Sequence, residues 1–136
     1  MAVMIEIDVR SGIPIYRQIM DKVRRLIMTG QMKEGDQLEQ VRALSGRLKV
    51  NPMTVSKAYS FLEQEGLVTR KRGVGLFVAH VNRSTQRRIK GQMLARAIDQ
   101  AAALAVQMGI SLEESRDEFE EHFKKYQSQK GETNEH

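Results

Sequence analysis

Residues 50–68, VNPMTVSKAYSFLEQEGLV, constrain the fold more than any other stretch of this chain. Asn51 followed by Pro52 marks a helix start. An asparagine side-chain oxygen can accept an orphan backbone N–H of the first turn. Proline suits the first helical position, where a missing N–H costs nothing. It also pushes the residue before it out of the α region, as a cap requires. Val55, Ala58, Tyr59 and Leu62 then recur at helical spacing and form one apolar stripe, and Gly66 supplies the stop. Met53, Ser56, Lys57 and Ser60 lie opposite the stripe, with Thr54 on the flank. A small polar face with one cation fits a DNA major groove, but an ordinary solvated helix carries the same pattern. The flanking segments have to decide between the two.

Those segments build a recognisable frame. Residues 3–9, VMIEIDV, read as a short strand or extended arm, ended by Ser11-Gly12. Pro14 opens a helix to about Met28 with Tyr16, Ile19, Met20, Val23, Leu26 and Ile27 as its stripe. Residues 33–36 form a turn, and Gln37-Leu38 is a candidate for a very short strand. The next helix, about Gln40 to Leu48, points Val41, Leu44 and Leu48 inward and Arg42 and Arg47 outward. It leads through Lys49-Val50 directly into the helix after Asn51, so the two form a helix-turn-helix. Turns of this kind often contain glycine, and Lys49 occupies that place, so a left-handed residue is expected where the easiest one to supply it is missing. After Gly66 the period shifts to two. Leu67-Val68-Thr69, a basic turn over residues 70–75 and Leu76-Phe77-Val78 read as a β-hairpin with three consecutive cations at its tip. A helix-turn-helix followed by a hairpin is a winged helix.

The remainder is a basic connector over residues 82–90 and two helices. The first runs to about Met108, with Leu94, Ile98, Ala101, Ala105 and Met108 on one face. The second is capped by Ser111, with Glu114 completing a capping box, and carries Leu112, Phe119, Phe123 and Tyr126. Such an antiparallel pair cannot cover its own apolar faces. The same pair from a second chain, about a two-fold axis, would cover them; folding back onto the winged helix of the same chain is the alternative. Residues 127–136 are polar and expected to be disordered.

Charge separates the two parts. Residues 1–110 hold 18 Lys/Arg against 9 Asp/Glu, whereas residues 111–136 hold 4 against 8. A basic body with an acidic end points to a polyanionic partner for the body. The chain has no cysteine, which excludes disulfides and thiolate chemistry. It has no membrane-length apolar run and no signal-peptide pattern, so a cytoplasmic location is expected.

With these residues in place, Pro14 to Val78 resembles the DNA-binding domain of the GntR family of bacterial transcription regulators. The resemblance rests on PIYRQIMDKVRRLIMTG, the Gly-Asp before Leu38, Val41-Arg42-Ala43-Leu44-Ser45, VNPMTVSKAYSFLEQEGLV and RGVGLFV. These motifs cover about half the chain. The short two-helix end resembles the YtrA subfamily, in which this region is a dimerisation unit. The resemblance implies a DNA contact for Arg42, to phosphate or guanine edge; a surface salt bridge to Glu39 or Asp36 is the alternative. Two departures stand out. Family members commonly carry Leu-Pro-Ser where this chain has Leu38-Glu39-Gln40, and some relatives carry an arginine base reader where this chain offers Pro52, Met53 and Ser56. Base discrimination therefore falls to Asn51, Met53, Thr54 and Lys57, or is shared by Arg42 and the wing, with Ser56 near the backbone or a base. In the wing, Arg70, Lys71 and Arg72 would follow a minor groove or phosphate ridge, with a merely solvated basic hairpin as the alternative. Gly73 suits a positive-φ turn, and both Gly73 and Gly75 would allow close backbone approach. Gly73-x-Gly75 lacks the third glycine and following helix of a nucleotide loop.

The expected architecture is mainly α with a small β-hairpin wing. It comprises a winged helix-turn-helix DNA-binding domain over 1–80, a connector and antiparallel helix pair for dimerisation over 81–127, and a disordered tail over 128–136. The expected function is sequence-specific regulation of transcription, as a repressor, by a homodimer on an inverted-repeat operator of double-stranded DNA. No catalytic group, cofactor or membrane partner is expected. Glu118 and His122 have metal-compatible spacing but no third ligand, so no metal is expected either. The chemistry of any small-molecule effector is open. The rival reading is a nonspecific nucleoid-associated or RNA-binding winged-helix protein.

Overall fold

The computed structural model describes residues 5–134. The element order is α1 (Ile15–Met28), α2 (Val41–Leu48), α3 (Pro52–Gln64), β1 (Val68–Lys71), β2 (Gly75–Val78), α4 (Arg83–Gln107) and α5 (Leu112–Asn134). The chain divides into two compact units, Met1–Arg87 and Arg88–His136. Among the described residues, no helix is long and apolar enough to cross a membrane.

In the first unit α3 is the hub, because α1, α2 and β1 all pack against it. Its expected stripe, Val55, Ala58, Tyr59 and Leu62, is buried. Around it are buried Ile19, Met20, Val23 and Leu26 of α1, Leu44 of α2, and Leu67, Val68, Leu76 and Val78 of the hairpin region. Tyr16 and Ile27, expected in the α1 stripe, are half-buried at its edge. Tyr59 carries the one polar atom of the α3 stripe, and its hydroxyl donates to the Glu39 carbonyl at 2.8 Å. Burial, with Glu39 nearby, pushes the Tyr59 phenol up from its ordinary range, so it stays a neutral donor.

The start of α3 is capped as its sequence requires. Asn51 is extended, and its Oδ1 accepts the Met53 N–H at 2.9 Å. The turn before it contains a strained residue. Lys49 has φ 57° and ψ 47°, the left-handed conformation that closes α2, and the Val50 N–H reaches the Ser45 carbonyl at 3.0 Å. A side chain in this conformation costs roughly 1–2 kcal/mol.

The hairpin is shifted relative to expectation. Arg70 and Lys71 belong to β1, with Arg70 paired to Leu76 and Lys71 to Gly75. Only residues 72–74 form the tip, so one of the three cations, Arg72, stands there. The Val74 N–H bonds the Lys71 carbonyl at 2.9 Å, and Gly73 has φ +77°, the third-residue geometry of a type II turn. The segment before α2 adds a rudimentary third strand. Gln37 bridges Phe77, and the Leu38 N–H bonds the Leu76 carbonyl at 2.8 Å. Residues 5–8 form an arm rather than a strand; residues 3 and 4 of the expected stretch lie outside the described residues. Gln18 holds the arm by accepting the Asp8 N–H at 2.7 Å and donating to the Asp8 carbonyl at 2.8 Å.

The expected basic connector is largely helix. Asn82 caps α4 by accepting the Thr85 N–H at 2.8 Å, which puts Arg83, Arg87, Arg88 and Lys90 on its first two turns. In α5, Ser111 Oγ accepts the Glu114 N–H at 3.1 Å, as expected of a cap. The helix continues to Asn134, through residues 128–134 where disorder was expected; these are mostly residues a helix tolerates, and Gly131 costs only about 1 kcal/mol relative to alanine. Among the described residues the two helices do not pack along one another as the expected antiparallel pair. Leu94, Ile98, Leu104, Phe119 and Phe123 remain about half exposed, at 45–56%.

The strain at Lys49 predicts a direction of change. Lys49→Gly relieves it, offset by the extra freedom of glycine in the unfolded chain, for a net gain of up to about 1 kcal/mol. Lys49→Val loses about 1 kcal/mol or more, since β-branched residues are outliers there. Urea unfolding should move the midpoint up for glycine and down for valine at constant slope. The opposite order would show that the turn is not strained.

Candidate nucleic-acid interface

The outward surface of α2, α3 and the hairpin gathers the sequence-predicted residues, although not in one tight cluster. Met53 is 77% exposed at the tip of α3. Thr54 is half-buried on the flank, as expected, and Ser56 and Lys57 are exposed. Ser56 and Ser60 face the hairpin side, where they line a shallow recess of about 100 Å³ with Gln40, Arg70 and Gly75. Lys57 leans the other way, and its ammonium lies 4.1 Å from the centre of the Tyr16 ring on α1. Asn51 is only partly available for a base edge, because its oxygen is committed to the Met53 N–H and its amino group remains.

The cations of α2, α3 and the hairpin sort into three classes. Arg47, expected to face outward, is half-buried and bound to Glu39 through two contacts, 3.2 and 2.7 Å, and donates a third bond to the Ile5 carbonyl at 3.0 Å. Glu39 holds the Arg47 guanidinium above its ordinary range and leaves little net charge at that spot. Arg70 meets Glu63 at 3.4 Å, a pair more exposed than that of Arg47. The second class is Lys57 on Tyr16 and Lys71, whose ammonium lies 4.5 Å from the centre of the Phe77 ring. Arg42 and Arg72 form the third class. Both are exposed, and among the described residues neither has an ion pair. Glu39, one of the two alternative partners named for Arg42, is taken by Arg47. Behind the surface, Arg24 grips Glu65 with two guanidinium nitrogens, Nε at 3.0 Å, and Asp21 at 2.9 Å. This ties α1 to the end of α3, and both the hydrogen bond and the charge of Glu65 raise the Arg24 pKa.

Two glutamines that the sequence reading did not single out hold the wing. Gln37 Nε2 and Gln40 Nε2 both donate to the Val74 carbonyl, at 3.2 and 2.9 Å. A Cβ at Gly75, where φ is +147°, would lie 2.8 Å from Gln37 Nε2 and 3.2 Å from Gln40 Nε2. The glycine thus leaves room for close approach, but by these two side chains. Gln37 and Gln40 lie 37 and 34 residues from Val74. The one local sign was the departure at Glu39-Gln40, where Gln40 precedes α2 without capping it through its side chain.

Among the described residues no group of three or more His, Cys, Asp or Glu could hold a metal ion. His122 and Glu118 do meet, at 3.1 Å on exposed α5, as an isolated pair.

The glutamine clamp predicts a local effect. The double change Gln37→Ala/Gln40→Ala removes two solvent-exposed bonds, which costs little global stability. Amide exchange at Val74 should accelerate roughly five-fold or more while α3 core amides keep their protection. Unchanged exchange at Val74 would mean the wing stands without the clamp.

Comparison with known proteins agrees with this architecture. Residues 15–78 match the family model described as bacterial regulatory proteins, gntR family. The chain is 40% identical over 110 residues to the HTH-type transcriptional repressor YtrA of Bacillus subtilis, covering 81% of this chain and 85% of that protein. Among solved structures, the chain is similar to a transcriptional antiterminator from Listeria monocytogenes, with TM-score 0.69, 29% identity, and 88% of this chain and 90% of that one covered. It is also similar to YtrA from Sulfolobus acidocaldarius, a GntR-family transcription factor, with TM-score 0.55, 38% identity, and 68% and 99% covered. The chain belongs to the GntR family of bacterial regulatory proteins and is a YtrA-type, sequence-specific DNA-binding transcription regulator.

Proposed function

We propose that this protein is a cytoplasmic repressor that binds an inverted-repeat operator as a homodimer. The observation that carries the DNA-facing part is the sorting of charge on the first unit. The outward side of α2, α3 and the hairpin keeps Arg42 and Arg72 free of acids and Lys57 and Lys71 on neutral rings. The acids at the other end of α3, Glu63 and Glu65, are engaged by Arg70 and Arg24. In this reading the N-terminal half of α3 enters the major groove. Met53, Thr54 and the Asn51 amino group approach base edges, and Ser56 and Lys57 contact base or backbone. Arg42 and the wing residues Lys71, Arg72 and Gly73 meet phosphates or the adjacent minor groove, with each phosphate-bound cation adding about one unit to the salt slope. Gly75 contributes by seating the wing on Gln37 and Gln40. None of these steps is a covalent reaction, and the protein acts by occupancy.

The dimer part rests on the second unit. Ile98, Leu104, Phe119 and Phe123 are 45–56% exposed, and a second copy related by a two-fold axis covers such faces most simply. The Bacillus relative is named a repressor, which supports the sign of regulation.

Two experiments test this reading. Footprinting of the full chain on the region upstream of its own gene, against a scrambled competitor, should protect two half-sites about one helical turn or a multiple apart; equal protection of both DNAs would favour the nonspecific rival. Sedimentation without DNA at micromolar concentration should give a dimer, and Ile98→Glu should give a monomer, because the change buries an unpaired charge in the interface. A wild-type monomer would contradict the dimer.

A further inference from the structure

We propose that Tyr16 is a positioning residue for DNA binding, holding Lys57 in place by its ring face, and that Phe77 does the same for Lys71 in the wing. The proposal rests on the DNA-binding reading of α3 and the hairpin and adds what orients two of its cations.

The geometry is specific in both places. Lys57 and Phe61 are one turn apart on α3, so they lie on the same strip of its surface. Tyr16, in the first turn of α1, meets both: its ring is stacked with Phe61 at 5.8 Å and 30°, and it carries the Lys57 ammonium 4.1 Å from its centre. Phe61 thus fixes the plane of the ring, and the ring fixes the lysine. Tyr16 is half-buried, unlike Ile19 and Val23 of the same helix, which fits a ring at the edge of the core that meets a surface lysine. In the wing, Lys71 stands opposite Gly75, and Phe77 stands opposite Thr69. The lysine stem reclines diagonally across the pair onto Phe77, with 4.5 Å from ammonium to ring centre.

An aromatic seat differs from a salt bridge in what it leaves behind. Glu39 cancels the charge of Arg47, and that pair would have to break before Arg47 could serve a phosphate. A ring attracts an ammonium through its quadrupole and adds no net charge. Lys57 therefore keeps its full charge for counterion release while already having lost much of its rotamer freedom, so less is left to lose on binding.

The test is the affinity of the full chain for a labelled duplex of mixed sequence, which reports the sequence-independent electrostatic part of binding, measured as a function of KCl. The variants are Tyr16→Phe, Tyr16→Leu, Lys57→Met and the double change Tyr16→Leu/Lys57→Met. Tyr16→Phe keeps the ring and should bind as wild type. Tyr16→Leu should weaken binding roughly two- to five-fold per reading head, and Lys57→Met should lower the salt slope by about one unit per head. In the Lys57→Met background, Tyr16→Leu should cost nothing more. Phe77→Leu with Lys71→Met forms the same cycle for the wing. Wild-type affinity in Tyr16→Leu overturns the seat. So does an equal loss with and without Lys57, which marks damage to packing. A wild-type protein with no affinity for any duplex overturns the DNA reading itself, and the seat with it.

Discussion

Burial of one face of α3 decides most of what this chain can present to a partner. Val55, Ala58, Tyr59 and Leu62 face inward, and α1, α2 and β1 all close on them. A helix committed on that face has only one other to offer, so Met53, Ser56, Lys57 and Ser60 are outward by consequence. The bond from Tyr59 to the Glu39 carbonyl extends this control to the approach of α2. The Arg24–Glu65 pair holds the far end of α3 to α1. The position and far end of the outward face thus follow from interactions that never touch it.

Around this hub the chain uses its charged and polar side chains in different ways. Arginines that hold the fold together are paired with acids, as Arg24 and Arg47 are. Arg42 and Arg72 are left open, and Lys57 and Lys71 rest on rings. The glutamines at 37 and 40 serve a third purpose by fixing the hairpin to the entrance of α2 without adding charge. A wing held in this way has less freedom to lose when it meets a partner.

The core of the reading head was legible because its signals are local. The Asn51-Pro52 cap, the four-residue stripe and the stop at Gly66 all lie within one helix and its ends, and the left-handed turn at Lys49 follows from the short link between two helices. What the sequence could not show depends on contacts across distance or on side-chain reach. The Gln37 and Gln40 bonds span more than thirty residues. Arg47 turned inward because Glu39 and the Ile5 carbonyl were waiting for it. Tyr16 read as one more member of an apolar stripe, since periodicity does not distinguish a buried ring from one with an open face. Lys71 moved from turn to strand because the hairpin tip is only three residues. The connector became helix once Asn82 supplied a cap, and α4 and α5 carry the expected stripes without packing along one another.

DNA binding by this protein turns on which side of α3 meets the duplex and in which groove. Dimethyl sulfate separates the possibilities, because it methylates guanine N7 in the major groove and adenine N3 in the minor groove. The protein bound to the DNA upstream of its own gene should protect guanine N7 in two symmetric patches about one helical turn or a multiple apart, and Met53→Ala should alter the protected positions. Protection confined to adenine N3, with guanine N7 fully reactive, would contradict the account.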